Sequence, residues 1–338
     1  MKKLVFFAIA LISASFIFAG LGRAQTIELK FAHFMSPMHT QHRNSFAPFC
    51  NKVEELTGGK VKIKLFPGGA LGGPTQLPDA VKTGITDIAF IIPSYTTGRF
   101  NRFSVLDLPF MVDGAVHATK VIYEIYDKHL AQDFKDYKVL WMYTCGPGQL
   151  HTVSKPVQTL DDLQGLKMRA PSAYMSKVLK LAGSTPVSMP ISELTVSLQK
   201  GVIDGMLTPY SAIADFRLFD LVKYVIKADV YVSPMAVVMN KDKFDSLPGD
   251  AKKAIDKASG KTWGLHAAKV YEEDDEKTVQ EGKRLGKIEF TTLPASEREK
   301  FMKLVKGMEA DWVEEMSKKG LPAKEILAAA QASAKKNR

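Results

Sequence analysis

Cysteine is scarce in this chain, with only Cys50 and Cys145 among 338 residues. That is too few for the spaced pairs that staple small secreted domains. One falls in a helical pattern and the other after a strand, so they read as two isolated buried thiols; a bond between them is the alternative in an oxidising compartment. The common catalytic signatures are missing as well: there is no G-x-S-x-G, H-E-x-x-H, P-loop or strand-linked G-x-G-x-x-G. Cys145 and His151 are near in sequence only, which does not make a nucleophile and its base. His33, His39 and His42 fall on a strand, a loop and a helix start, with no Cys or carboxylate at ligand spacing. They are expected not to converge and to lie on a cleft rim or the surface, so neither a metal nor a cofactor is called for. Basic clusters are also lacking. The formal charge is +10, but the basic residues alternate with acidic ones, as in "EEDDEKTVQEGKR", which argues against a nucleic-acid partner.

After the first 25 residues no apolar run approaches the ~20 residues that span a bilayer. The start of the chain differs: Lys2 and Lys3 precede "LVFFAIALISASFIFAG", and "GRA" follows as a small-x-small site. Residues 1–24 are expected to be a signal peptide cleaved after Ala24, with an uncleaved anchor as the alternative, so the mature protein is expected to be exported. Removing Lys2, Lys3 and Arg23 would leave a net charge near +7 (10 − 3).

From Thr26 onward strand and helix patterns alternate. "TIELKFAHF" is a strand, "HTQHRNSFAPFCNKVEELTGG" a helix closed by two glycines, and "KVKIKLFP" a strand with alternate apolar positions. "ITDIAFII" is a continuous apolar run too short for a helix, hence a buried strand. The rhythm implies an α/β architecture with mostly parallel sheets. At 338 residues, two domains are expected. Gly146-Pro147-Gly148 interrupts one strand pattern, and "VYVSPMAVVMN" supplies a candidate return strand; two such crossings make a hinge. The helical pattern from Gly249 to Leu285 is long enough to span both domains, with a bend expected near Gly264. The predicted division is residues 25–148 with 236–264 in one lobe, and 149–235 with 265–338 in the other.

"LKMRAPSAYM" carries the functional signal. Arg169 ends a short buried strand, Pro171 extends the residue before it, and a helix begins at once. A guanidinium at the carboxyl end of a parallel strand suits a ligand carboxylate, since its fork makes two hydrogen bonds to one anion. An interdomain ion pair with Asp or Glu is the other reading.

The block "LQGLKMRAPSAYMSKVLKLAGSTPVSMPISELTVSLQKGVIDGMLTP", with "FPGGALGG", "VLDLPFMVDGAVHA" and "VVMNKDKFDSLP", resembles the DctP-type solute-binding proteins of TRAP transporters (tripartite ATP-independent periplasmic transporters) from about Ile27 to Gly320. The resemblance implies a two-lobed periplasmic-binding-protein-like fold with crossing strands and a long interdomain helix. It also implies a non-enzymatic binder that closes on a small organic carboxylate and delivers it to the TRAP membrane subunits. It places Arg169 on the ligand carboxylate. Elsewhere the family pattern is altered: Phe34 stands where many relatives have Asn, Thr208 at the Asn of "D-G-Q-E-N-P", Gly148 at a second arginine, and Ile191 at an aromatic before "SEL". Ile92 and Pro93 replace polar residues and are followed by Ser94 and Tyr95. Phe34, Ile92, Ile191, Tyr95 and Tyr210 would then form an apolar slot, with Thr208 and His151 bonding a keto or hydroxyl group. The favoured ligand is an apolar or aromatic monocarboxylate such as an indole or phenyl keto acid. A C4-dicarboxylate or other organic acid is the alternative ligand. An ABC-type binding protein, a ligand-presenting subunit of a signalling receptor and a secreted enzyme are the alternative roles.

Overall fold

Strands and helices alternate along the chain, and the apolar periods of the sequence explain which face each one buries. The computed structural model describes residues 26–338; the expected signal peptide lies outside the described residues. The strands are β1 (Ile27–Ala32), β2 (Val61–Phe66), β3 (Ile88–Ile91), β4 (Tyr137–Thr144), β5 (Gln149–Thr152), β6 (Lys167–Ala170), β7 (Thr185–Ser188), β8 (Gly205–Thr208), β9 (Tyr224–Lys227), β10 (Pro234–Asn240) and β11 (Glu289–Thr292). They form two sheets, ordered β2-β1-β3-β10-β4 and β11-β9-β5-β8-β6-β7.

Each sheet is parallel except for one strand. β10 runs antiparallel to β3 and β4 in the first lobe, and β5 runs antiparallel to β8 and β9 in the second. These are the strands that enter from the other lobe. A parallel neighbour needs a crossover, usually a helix, whereas a strand arriving directly from the other lobe comes in from the opposite end. The all-apolar β3 is buried along its whole length, as its unbroken run predicts.

The helices that frame the cleft are α1 (Ala47–Leu56), α2 (Leu77–Lys82), α3 (Ala115–Ile125), α4 (Ala173–Leu181), α5 (Leu194–Gln199), α6 (Ala212–Asp215), α7 (Lys241–Ser246), α8 (Gly249–Ala258), α9 (Gly260–Leu285), α10 (Ala295–Leu304), α11 (Met308–Lys318) and α12 (Ala323–Lys336). A π-helical turn, His42–Phe46, leads into α1. Ser172 caps α4 by accepting from Met175 N at 3.2 Å.

Three expectations need correction. The helical run from Gly249 is broken at Ser259, where Gly260 takes φ +77°, and α9 then passes through Gly264 without interruption. Gly264 serves close approach rather than bending, because a Cβ there would run into the Met142 carbonyl of β4 and lie 2.7 Å from Tyr123 Oη. Further along, α10 and α11 are separate helices; Phe301, Val305 and Met308 turn inward, while Leu304 stays 40% exposed. Finally, α11 and α12 pack on the first lobe, although the sequence division puts them in the second. Trp312 Nε1 donates to Ser104 Oγ at 2.9 Å, and Ser333 Oγ to Glu124 Oε2 of α3 at 3.0 Å.

The two crossings lie side by side and are hydrogen-bonded to each other. Gly148 N donates to Tyr231 O at 2.7 Å and Val230 N to Gly148 O at 3.0 Å. The Gln149 side-chain oxygen accepts from Ala228 N and Asp229 N at 2.7 and 3.0 Å. Asp229 holds a left-handed φ of 50°, a conformation Asp tolerates better than most residues. With α9, which touches both sheets, this ribbon connects the lobes.

Candidate functional site

Arg169 is one of the largest fully buried side chains, 1% exposed. β6 carries it into the space between the lobes, and the chain turns away at Pro171. Its Nε donates to Met189 O at 3.1 Å, Nη1 to Leu207 O at 3.2 Å and Nη2 to Tyr95 Oη at 3.1 Å. One N–H on each terminal nitrogen is left over as a donor for a ligand. Among the described residues no carboxylate pairs with this guanidinium, so the ion-pair reading of Arg169 is not what the structure contains.

The guanidinium opens onto a cleft cavity enclosing about 450 Å³, open solvent included. Of the sequence-derived candidates, Phe34, Ile92, Tyr95, Arg169, Ile191 and Thr208 all line it. Phe34 packs on Phe90 with ring centroids 5.5 Å apart and on Tyr95 at 6.4 Å. Thr208 Oγ1 is fully buried and has no hydrogen-bond partner among the described residues. An unpaired buried hydroxyl is costly, which makes it available to a ligand.

The other four candidates do not line this cavity. Ser94 faces two neighbouring cavities instead. His151 is anchored through Nε2 to the Thr208 carbonyl at 2.9 Å, and burial lowers its pKa to about 4, so it stays neutral. Tyr210 packs toward Phe290, ring centroids 6.3 Å apart. Gly148 belongs to the hinge: a Cβ there would overlap the Tyr231 ring, and Tyr231, 3% exposed, forms the cavity wall beside it.

The histidines depart from expectation too. His33 Nε2 and His42 Nδ1 lie 2.9 Å apart, and His33 and His39 are buried rather than on the surface. Strand end, loop and helix start curl together here, which brings the rings close. Desolvation, with the neighbouring imidazoles, lowers His33 and His39 to about 3, so all this cluster adds at neutral pH is polarity. Among the described residues no group of three or more His, Cys, Asp or Glu could hold a metal. His39 lines the cavity, with Nε2 3.2 Å from Oδ2 of Asp215 in α6. Cys50 and Cys145 are both free and buried, and burial raises each thiol to about 12, far from a nucleophile's range.

Tyr231, Tyr271, Phe90, Met235, His39 and Asp215 were not singled out as cavity residues by sequence reasoning. Only Tyr231 had a usable signal, its place on the return crossing, where a hinge residue must face the cleft. The cavity therefore has one unpaired buried cation, aromatic and aliphatic walls, and buried hydroxyls.

The family model for bacterial extracellular solute-binding protein, family 7 (DctP), matches residues 31–317. A TRAP solute-binding protein of Rhodoferax ferrireducens, solved with copurified benzoate, is similar at TM-score 0.89 and 33% identity, covering 92% of this chain and 98% of that one. A marine-metagenome TRAP solute-binding protein specific for aromatic acid ligands, solved with 3-hydroxybenzoate, reaches 0.88 and 31% over 92% and 99%. The 2,3-diketo-L-gulonate-binding periplasmic protein of Escherichia coli is 28% identical over 272 residues, 78% of this chain and 81% of its own length. Among the described residues no helix is long and apolar enough to cross a membrane.

Proposed function

Because this chain belongs to the DctP family of TRAP solute-binding proteins, bacterial extracellular solute-binding protein family 7, we propose that it captures a monocarboxylate with an apolar or aromatic body in the periplasm and delivers it to TRAP membrane subunits. One observation carries this reading: Arg169 is buried, unpaired among the described residues, and faces a cavity walled by Phe34, Phe90, Ile92 and Tyr271. An anion entering there meets a desolvated cation with a pair of donors already oriented, so the lobes need little further ordering to hold it.

The walls select the body attached to the carboxylate. Burying an aromatic ring in place of water is worth about 2 to 3 kcal/mol. A second carboxylate would find no second cation, since among the described residues Arg169 is the only Lys or Arg lining this cavity and His39 is neutral and 3.2 Å from Asp215. Leaving such a charge unpaired costs roughly several kcal/mol, which disfavours C4-dicarboxylates. Relatives that carry benzoate and 3-hydroxybenzoate are consistent with this preference.

Thermal melting with each candidate acid tests the reading. Phenylpyruvate, indole-3-acetate or benzoate should raise the melting temperature more than succinate or malate, and the reverse order would overturn the preference. Uptake of the stabilising acid by cells, lost on deletion of the gene, tests delivery to a permease; uptake that persists would favour a signalling role.

A further inference from the structure

We propose that the part of the cavity formed by His39, Asp215 and Ser211 is a second polar subsite, built for a hydroxyl carried on the ligand's body away from its carboxylate. This rests on the aromatic-acid reading above and specifies it.

Asp215 belongs to the second lobe, and both of these neighbours come from the first. Thr40 N donates to Oδ1 at 2.8 Å, and His39 Nε2 lies 3.2 Å from Oδ2. Gln41 N donates to His39 Nδ1 at 3.2 Å, which assigns the ring proton to Nε2. Each carboxyl oxygen thus keeps bonding capacity after its one neighbour is counted. Ser211 Oγ is buried close to the Asp275 carboxyl, whose Oδ1 accepts from Ser211 N at 2.6 Å, but among the described residues no acceptor or donor sits in good hydrogen-bond geometry with Oγ. His39, Asp215 and Ser211 all line the same cavity as Arg169.

The subsite shares no hydrogen-bond partner with the carboxylate clamp: Arg169 donates to Met189 O, Leu207 O and Tyr95 Oη, and Asp215 accepts from Thr40 N. The cavity that holds both groups is also lined by Tyr271 and Phe216, which pack edge-to-face with His39 at centroid distances of 6.2 and 5.7 Å. A ligand that matches this layout is a carboxylate, then a ring, then a polar group.

The local charge identifies that polar group. Burial and the neighbouring carboxyls raise the Asp215 pKa well above the ordinary carboxylate range, and His39 is neutral. A second carboxylate would be set against three carboxyl groups. A hydroxyl can donate to Asp215 or Ser211 and accept from either. A site built to hydrogen-bond a hydroxyl discriminates strongly against the analogue without one, because its buried polar atoms are then left unpaired.

Titration calorimetry of the mature protein with phenylacetate, 3-hydroxyphenylacetate and 4-hydroxyphenylacetate tests this. At least one hydroxylated acid should bind about 10-fold more tightly than phenylacetate. That ratio should fall toward unity in both Ser211→Ala and Asp215→Asn, whatever each does to overall affinity. Using two variants guards against one failing to fold. Equal affinities in the wild type, or a preference that survives both substitutions, would overturn the proposal while leaving the aromatic reading intact. If none of the three acids binds, the aromatic reading fails and the subsite with it.

Discussion

Tyr95 and Arg169 join the two lobes through a single oxygen. Tyr95 Oη, just past β3 in the first lobe, lies 3.1 Å from Arg169 Nη2 of the second and also accepts from Ile191 N at 3.0 Å. Tyr95→Phe would leave both buried donors without an acceptor, a loss of about 1 to 3 kcal/mol. Ligand affinity should fall about 10-fold, and small-angle scattering should show a more open ligand-free protein. Unchanged affinity and shape would mean that this contact does not help to hold the lobes together.

Arg169→Ala removes the proposed anion clamp outright. Ligand binding should weaken by about 2 to 5 kcal/mol, the range for truncating one partner of a buried, hydrogen-bonded charge pair. Arg169→Lys keeps the charge but loses the fork and should be intermediate. Calorimetry on all three proteins gives the order, and an alanine variant that binds as well as the wild type would remove Arg169 from the site.

Gly264→Ala should destabilise the protein, although alanine in a helix interior usually stabilises by about 1 kcal/mol. Its Cβ would meet the Met142 carbonyl, part of the β4 backbone, which cannot swing aside as a side-chain end can. A loss of about 1 to 3 kcal/mol is expected from forcing α9 off β4. Urea unfolding measures it.

Asp107 gives a pH dependence of known sign. It is 3% exposed, forms no side-chain hydrogen bond or ion pair among the described residues, and burial raises its pKa from 3.8 to about 8. A raised folded pKa contributes stability that is fully present below the unfolded value and is lost as pH rises from about 4 toward 8, by at most about 1.4 kcal/mol per unit. His33, His39 and His151, lowered to about 3, 3 and 4, work the other way: their contribution is present above 6.5 and is lost as pH falls. That background is common to the wild type and Asp107→Asn. The stability of Asp107→Asn relative to wild type should therefore increase between pH 5 and pH 8 in urea unfolding, and a constant difference would show that the carboxyl has found a counter-ion.

Much of the site was legible because it depends on local chemistry. Arg169 stood out as a charged residue ending an apolar strand just before a proline, and the crossings were marked by Gly146-Pro147-Gly148 and the "VYVSPMAVVMN" run. His39 and Asp215 carried no such mark. Thr40 and Asp215, whose hydrogen bond spans the lobes, are 175 residues apart, and nothing in either segment indicates the other. His151 was plausible by position, yet the Thr208 carbonyl claims its ring, a fact of strand register that only the paired β5 and β8 reveal. The break at Ser259 and the continuous helix at Gly264 were exchanged for a similar reason: both glycines look alike in sequence, and only the approach of β4 separates their roles.

By itself, the sequence determined the α/β alternation, the double crossing between lobes and the arginine that ends a buried strand, because apolar period, turn residues and a strand-ending charge act over a few neighbouring positions. Tertiary structure decided which side chains share the cavity with that arginine. Register and lobe contact bring Tyr95, His39, Asp215 and Tyr231 together from distant segments, and whether a polar group is free for a ligand depends on which buried partners reach it first.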